Sequence, residues 1–351
     1  MSIMKNKNYF NSLAIVTLLL FCTSINAKVW RVNNKTTYNR WTNNQVYATL
    51  LDVHAAANAG DTIYVEASNE TYLGITITKK LTIIGPGYLL NQNQNLQANQ
   101  NSAKITQITF GNGSSGSSLY GIETIGSGNN NNIYISNNTL GDITISRCKF
   151  GTLAFQNGVG ITHNNILITK NYFDAIDSLS GNGNGPITNF ILNNNIILNN
   201  LILSDDYSGA ISQNVILGNI GLYAGIDFYN NIILGSSIVT NSTASIHDNL
   251  FDFALISPFN NNNLTLNTSV MFVDFNITGN DEKKYILNPS TNCPQCYQGF
   301  PSNTQVGIYG GNDPYILSGI PAIPTIYSLQ ASSSAPQSGT LQTTISTRSN
   351  N

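Results

Sequence analysis

Basic residues are scarce along most of this chain, so the places where they stand carry information. From residue 105 to 282 there are three: Arg147, Lys149 and Lys170. Arg147 sits in "ITISRCKF" and Lys170 in "ILITKNYF", at equivalent places in two similar motifs, and Asp174 and Asp177 follow Lys170 closely. A lysine or arginine side chain that has given up its proton can act as a base, and carboxylates nearby can hold a cation. Arg147 and Lys170 are therefore candidate catalytic residues, and Lys149, Asp174 and Asp177 candidate binding residues. The plainer reading of the same side chains is solvation, because scattered surface charge usually needs no further explanation.

Other chemistry-bearing residues are less concerted. Asp205 and Asp206 in "SDDYSG" offer paired carboxylates, but an acidic turn in water accounts for them equally. His54, His163 and His247 lie far apart, with no Ser or Cys motif around them, so neither a nucleophilic triad nor a metal centre is signalled. Tyr172, Tyr207, Tyr223 and Tyr229 could stack on the apolar face of a sugar, and Tyr229 is the one whose place in its motif points outward. Cys293 and Cys296 in "CPQC" suit a local disulfide in an oxidising compartment or two plain thiols. A zinc site would need two further ligands, and none stands nearby, so no metal is expected.

What positions these residues is a repeat. Six segments, "ITISRCKF", "ILITKNYF", "ILNNNII", "AISQNVIL", "DFYNNIIL" and "SIHDNLFD", align on Cys148, Asn171, Asn195, Asn214, Asn231 and Asn249, a loose period of about 20 residues. Three places before the anchor stand Ile145, Ile168, Leu192, Ile211, Phe228 and Ile246. Two places after it stand Phe150, Phe173, Ile197, Ile216, Ile233 and Phe251. Both columns must point inward. One place before the anchor the column reads Arg147, Lys170, Asn194, Gln213, Asn230 and Asp248, polar throughout and expected to face water. Short apolar segments with polar turns predict an all-β chain, a right-handed parallel β-helix whose coils rise by about 4.8 Å. Stacked amides then explain the anchor: each can bond the next and the nearby backbone, forming an asparagine ladder.

A solenoid's open end needs cover. "VYATLLDVHAAANAGD" places Val46, Leu50, Val53 and Ala57 at helical spacing with Gly60 to end the helix, so a capping helix is predicted, with Trp30 and Trp41 beneath it. Before it, Lys5 and Lys7, the apolar run Leu13 to Phe21 and Ala27 read as a secretory signal over 1–27, and no other stretch is apolar enough to be a transmembrane anchor. Residues 28–308 form the capped solenoid, and 309–351, punctuated by Pro and Gly, a linker and extended tail with room for a hairpin. Charged residues make up only 9% of the chain and its net charge is −2, or −4 without the signal, with no long basic run, so nucleic acid is not an expected partner. Oligomeric state is not legible.

The front segment "AANAGDTIYVEASNETYLGITITKKLTIIGPGY", the stacked motifs and the closing "VGIYGGNDPYILSGIPAIPTIYSL" resemble the secreted bacterial β-helix proteins of the pectate-lyase-like superfamily, from about residue 28 to the C-terminus. They are most similar to a subgroup without an assigned activity. That superfamily includes lyases, polygalacturonases and adhesins without a catalytic centre, so fold alone does not choose among them. The glycine-flanked histidine and "RIK" segment of polygalacturonases have no counterpart here. The resemblance implies an exported protein presenting a polar face to extracellular polysaccharide or the cell surface, non-catalytic and without a cofactor. The alternative it leaves open is a polysaccharide lyase using Lys170 or Arg147, with Ca²⁺.

Overall fold

The computed structural model describes residues 27–37, 46–126, 131–136, 138–156, 160–178, 185–203, 206–222, 225–235, 237–240, 244–255, 261–331 and 339–350. The expected signal segment before Ala27, together with Trp41, Asp205 and Tyr223, lies outside the described residues, as does the side chain of Asp177.

The chain is a parallel β-helix. One sheet has 11 strands and a second has 15, and every pairing within them is parallel. The second sheet divides into two ladders that share the long strands Lys149–Phe155 and Tyr172–Ser178: Phe173 continues to Ile197, whereas Ile176 continues to Leu201. Each coil therefore has three faces. The strand interiors obey the two-residue period, and the inward columns predicted from sequence are buried: Ile145, Ile168, Leu192, Ile211 and Phe228 on one side of the anchor, Phe173, Ile197, Ile216, Ile233 and Phe251 on the other. Phe150 and Phe173 stack in adjacent coils, 4.7 Å between centroids.

At the corner between the first two faces stands the ladder. Asn171, Asn195, Asn214, Asn231 and Asn249 are all fully buried. The side-chain amide of each donates to the Oδ1 of the next at 2.9–3.0 Å, and that same Oδ1 accepts the preceding anchor's backbone N–H. Each amide also donates to the carbonyl of the inward residue one coil back, as Asn214 does to Leu192. Asn263, which the motif alignment did not reach, adds one more rung below Asn249. Cys148 heads the ladder, its thiol donating to Ser146 O and Leu119 O and its backbone N–H to Asn171 Oδ1. Burial pushes its thiol up to about 12, against backbone hydrogen bonds that act the other way, so it behaves as a small apolar side chain.

The N-terminal cap is a helix at Leu50–Ala56, its first turn held by the Thr49 side chain accepting from Asp52 N–H, with Leu50 and Val53 turned onto the core. Val46 corrects the expected helix start. It forms a short strand with Tyr47 on the outer edge of Val29–Val32, so the end coil is closed by paired backbone as well as by the helix. Trp30 lies on this first coil, edge-on to Tyr47, and donates its indole N–H to Asp61.

A second correction concerns the polar column before the anchor. The column expected in water is covered. Arg147, Lys170, Asn194, Gln213 and Asn230 are all 9% exposed or less. All six residues of this column, Asp248 included, have φ between 54° and 59°, because the chain turns the corner there in a left-handed conformation. The turn aims the side chains away from the solenoid core, but residues 268–320 then cross that corner as a strap. The strap has its own apolar core, Met271, Phe272, Tyr285, Leu287, Cys293, Cys296, Val306, Ile308 and Tyr315, packed on Ile196, Val215, Ile232 and Leu250 of the second face. Cys293 and Cys296 form a disulfide inside it. The stretch 309–351 divides in two. Residues 309–320 belong to the strap, with Tyr315 and Ile320 buried, and only Thr325–Ala331 and Thr343–Arg348 form an antiparallel hairpin beyond it. Gly319 shows how tightly the strap is seated: a Cβ there would fall 2.3 Å from the Tyr88 ring and 2.4 Å from Arg147 O.

Candidate functional site

The covered column works as a row of clips. Arg147 Nη1 donates to Ile320 O at 2.7 Å. Lys170 Nζ pairs with the Asp313 carboxylate. Asn194 donates to Ile308 O and Gly310 O, and the Asn230 amide exchanges two hydrogen bonds with the Phe300 backbone. Burial lowers the Arg147 pKa, with Asp313, Tyr120 and Tyr88 acting the other way. The two cations proposed as catalytic thus lie in adjacent coils, as the repeat requires, but under the strap. Lys149, on the second face, pairs with Glu123 at 2.8 Å. Asp174 lies beyond the anchor, away from the Arg147–Lys170 column, and the Asp177 backbone pairs with Ala154 and Ile202 on the third face. Among the described residues no ion pair joins Asp174 to Arg147, Lys149 or Lys170.

Beneath the strap's start lies a buried carboxyl. Glu282 Oε1 accepts from Tyr315 Oη and Ser318 N, its Oε2 accepts from Asn93 Nδ2, and Tyr88 Oη meets Tyr315 Oη at 2.6 Å. Burial outweighs these donors and raises Glu282 to about 7. Joining residues 88–93 to 282–318, this group is a latch for the strap rather than an accessible acid.

The first sheet's outer face is different. In register, one row runs Arg31, Tyr64, Ile84, Tyr120, Ser146, Thr169, Asn193, Ser212, Tyr229 and His247 through ten coils. Beside it runs a second row that begins Val29, Thr62, Thr82, Ser118, Thr144 and ends Asp227, Ser245. Tyr229, singled out from sequence, stacks on His247 at 5.4 Å and meets Phe300 of the strap edge-on at 5.9 Å. His247 is held between Asp227 and Asp248, at 3.0 and 2.6 Å. Where the strap borders this row a cleft of about 310 Å³ opens, lined by Asn193, Gln213, Tyr229, Phe300, Asn312 and Asp313 among others. A second of about 310 Å³ lies on the other side of Phe300 against Asp248, and a larger trough of about 960 Å³ lies between Arg31, Tyr64 and the C-terminal hairpin. Phe300 and Asp313 were missed from sequence, since the strap carries no repeat to place them. The one available signal was the doubled aliphatic pair, as in "NNII", which predicts burial on both sides of a strand and hence a cover.

Among the described residues no group of three or more His, Cys, Asp or Glu side chains is placed to hold a metal ion, and no helix is long and apolar enough to cross a membrane. Comparison with known proteins finds no matching family model, no matching curated protein and no matching solved structure.

Proposed function

We propose that this protein is an exported, non-catalytic β-helix that presents the outer face of its first sheet to extracellular polysaccharide or the cell surface. The observation that carries this is the contrast between faces: in the row from Arg31 to His247, Arg31, Tyr64, Tyr120, Asn193, Tyr229 and His247 stay exposed or half-buried, with Ile84, Ser146, Thr169 and Ser212 buried between them, while the neighbouring face is roofed by the strap. Coils about 4.8 Å apart repeat hydroxyl, amide and aromatic groups at a spacing close to that of sugar rings in a linear chain. Export is supported by Lys5, Lys7 and the apolar run Leu13 to Phe21, and it suits a buried disulfide. Membership of the pectate-lyase-like superfamily rests on the parallel coils and on the sequence resemblance. Burial of Arg147 and Lys170 in contacts with Ile320 O and Asp313 argues against the lyase alternative, because a base must reach the proton that it removes.

The test is electrophoresis of the purified protein through gels containing soluble polysaccharides of neutral, basic and acidic type. Retardation by at least one, without shortening of the polymer, is expected. Free migration in every gel would overturn the proposal.

A further inference from the structure

We infer that the cleft between Tyr229 and the strap is a sugar subsite for a non-acidic glycan, one bearing hydroxyl or amino groups, and that it rejects uronates; this rests on the glycan-presenting reading above. Three observations converge. The first is shape and apolar surface. At about 310 Å³ the cleft falls at the lower end of small-ligand sites, which begin near 300 Å³, and the crossed rings of Tyr229 and Phe300 form a corner onto which the C–H face of a sugar can pack.

The second is a pair of unused acceptors. Gln213 is 6% exposed, yet its Oε1 has no hydrogen-bond partner, and Asn193 Oδ1 is buried and unpartnered in the same wall. A buried acceptor left unpaired has lost its water without compensation, so a ligand that brings a donor to it gains more than one meeting a water-exposed acceptor would. The neighbouring clips are all engaged: Asn194 with Ile308 O and Gly310 O, Asn230 with Phe300. Among the described residues of this wall, Gln213 and Asn193 are the two whose buried amide oxygens have no partner.

The third is charge. Asp313 lines the cleft with its side chain 72% exposed, and Asp227 and Asp248 flank His247 next to it. Lys170, the lysine that reaches Asp313 here, is 4% exposed and already paired with it. A sugar carboxylate entering here would meet carboxylates and acceptors, and no described residue lining the cleft is a lysine or arginine. Hydroxyls would find Gln213 and Asn193, and an ammonium would also find Asp313.

Calorimetry of the full chain tests this with three probes of similar length: a neutral gluco-oligosaccharide, a glucosamine oligomer and an oligogalacturonate. Binding of the first two, with the uronate at least tenfold weaker, is expected. Tyr229→Ala and Gln213→Leu should each weaken the neutral probe about tenfold, with Tyr229→Phe retaining binding, and Asp313→Asn should narrow the gap between the amino and neutral probes. Circular dichroism and denaturant melts of each variant separate lost binding from lost fold, and Tyr229→Phe carries the comparison if Gln213→Leu fails to fold. Uronate binding equal to or tighter than the neutral probe would overturn the inference while leaving glycan presentation standing. So would neutral binding indifferent to both Tyr229→Ala and Gln213→Leu, since the sugar would then lie elsewhere on the face. Binding of none of the three probes, alongside free migration in every polysaccharide gel, would remove both.

Discussion

Two faces of the same solenoid, built from the same coils, have opposite fates. On the second face the residue after the anchor is Ile196, Val215, Ile232 and Leu250, and the strap buries all four in a core of its own. On the first face the residue two before the anchor is Asn193, Ser212, Tyr229 and His247, of which Ser212 is buried and the other three stay half-buried beside the strap's edge. The two columns are only three residues apart along each coil. Position relative to the corner, not average composition, thus decides whether a polar side chain becomes a structural clip or stays on the outer face. Between them the left-handed column is polar in sequence but buried from Arg147 to Asn230, where Arg147, Lys170, Asn194 and Asn230 each find a strap carbonyl or carboxylate.

The largest test of this division is at the shared corner. Asn214→Leu would strand the Asn195 N–H, take from the Asn231 Oδ1 one of its two donors and remove the amide donor to the carbonyls of Leu192 and Ser212, and should cost about 4 kcal/mol or more in a denaturant melt. Gln213→Leu, one residue away, loses no strong partner and should cost less than about 1 kcal/mol. Equal losses would mean that the ladder does not carry the corner. Next, Ile232→Ala opens a cavity under the strap and should cost about 3 kcal/mol, whereas Ile191→Ala on the open face should stay below about 1 kcal/mol. A small loss for Ile232→Ala would detach the strap from the stability of the whole.

The strap's latch gives a pH signature. Glu282 has its folded-state value raised from 4.5 to about 7, so the folded state holds a proton that the unfolded chain has already released. Its contribution is fully present below about pH 4.5 and is lost as pH rises through 7, a change on the order of 2 kcal/mol. His54 and His163, lowered chiefly by burial, act in the opposite sense, because the unfolded chain binds their protons more strongly. The difference between wild type and Glu282→Gln isolates the carboxyl. A difference that does not vary between pH 4.5 and 7.5 would show that Glu282 is not buried as described.

Much of this was legible in the residues. The inward columns and the anchor ladder follow from a two-residue strand period repeated every coil, and local physics fixes both. The cap was legible as helix over Leu50–Ala56 but not at Val46, where pairing with Arg31 outweighed a helical spacing. The site was half legible. Tyr229 could be placed because it belongs to the repeat, but Phe300, Asp313 and Glu282 come from a segment without periodicity, brought back over the coils from 70 to more than 140 residues away. The water-facing reading of Arg147 and Lys170 failed for the same reason: a polar column gives no sign of what later folds over it.

The smallest expected effect concerns those two cations. Lys170 is buried but its partner Asp313 is largely exposed, so the pair is screened and Lys170→Ala should cost about 1 kcal/mol or less, with little change on raising salt. Arg147→Ala removes a single bond to Ile320 O, a comparable loss. Neither change should alter polyuronate, because the wild type itself should form no unsaturated product from pectate or alginate with Ca²⁺ supplied. A base contributes only about 10² to 10⁴ of the acceleration such an elimination needs, and the remainder must come from cations fixed around the sugar carboxylate. Here the open face beside Lys170 carries Asp313, Asp227 and Asp248 instead. Ultraviolet absorbance of unsaturated uronate, followed for wild type, Lys170→Ala and Arg147→Ala, decides the point. Product formed by the wild type and abolished by either substitution would require the strap to lift from this column during turnover, and would turn the covered face into the functional one.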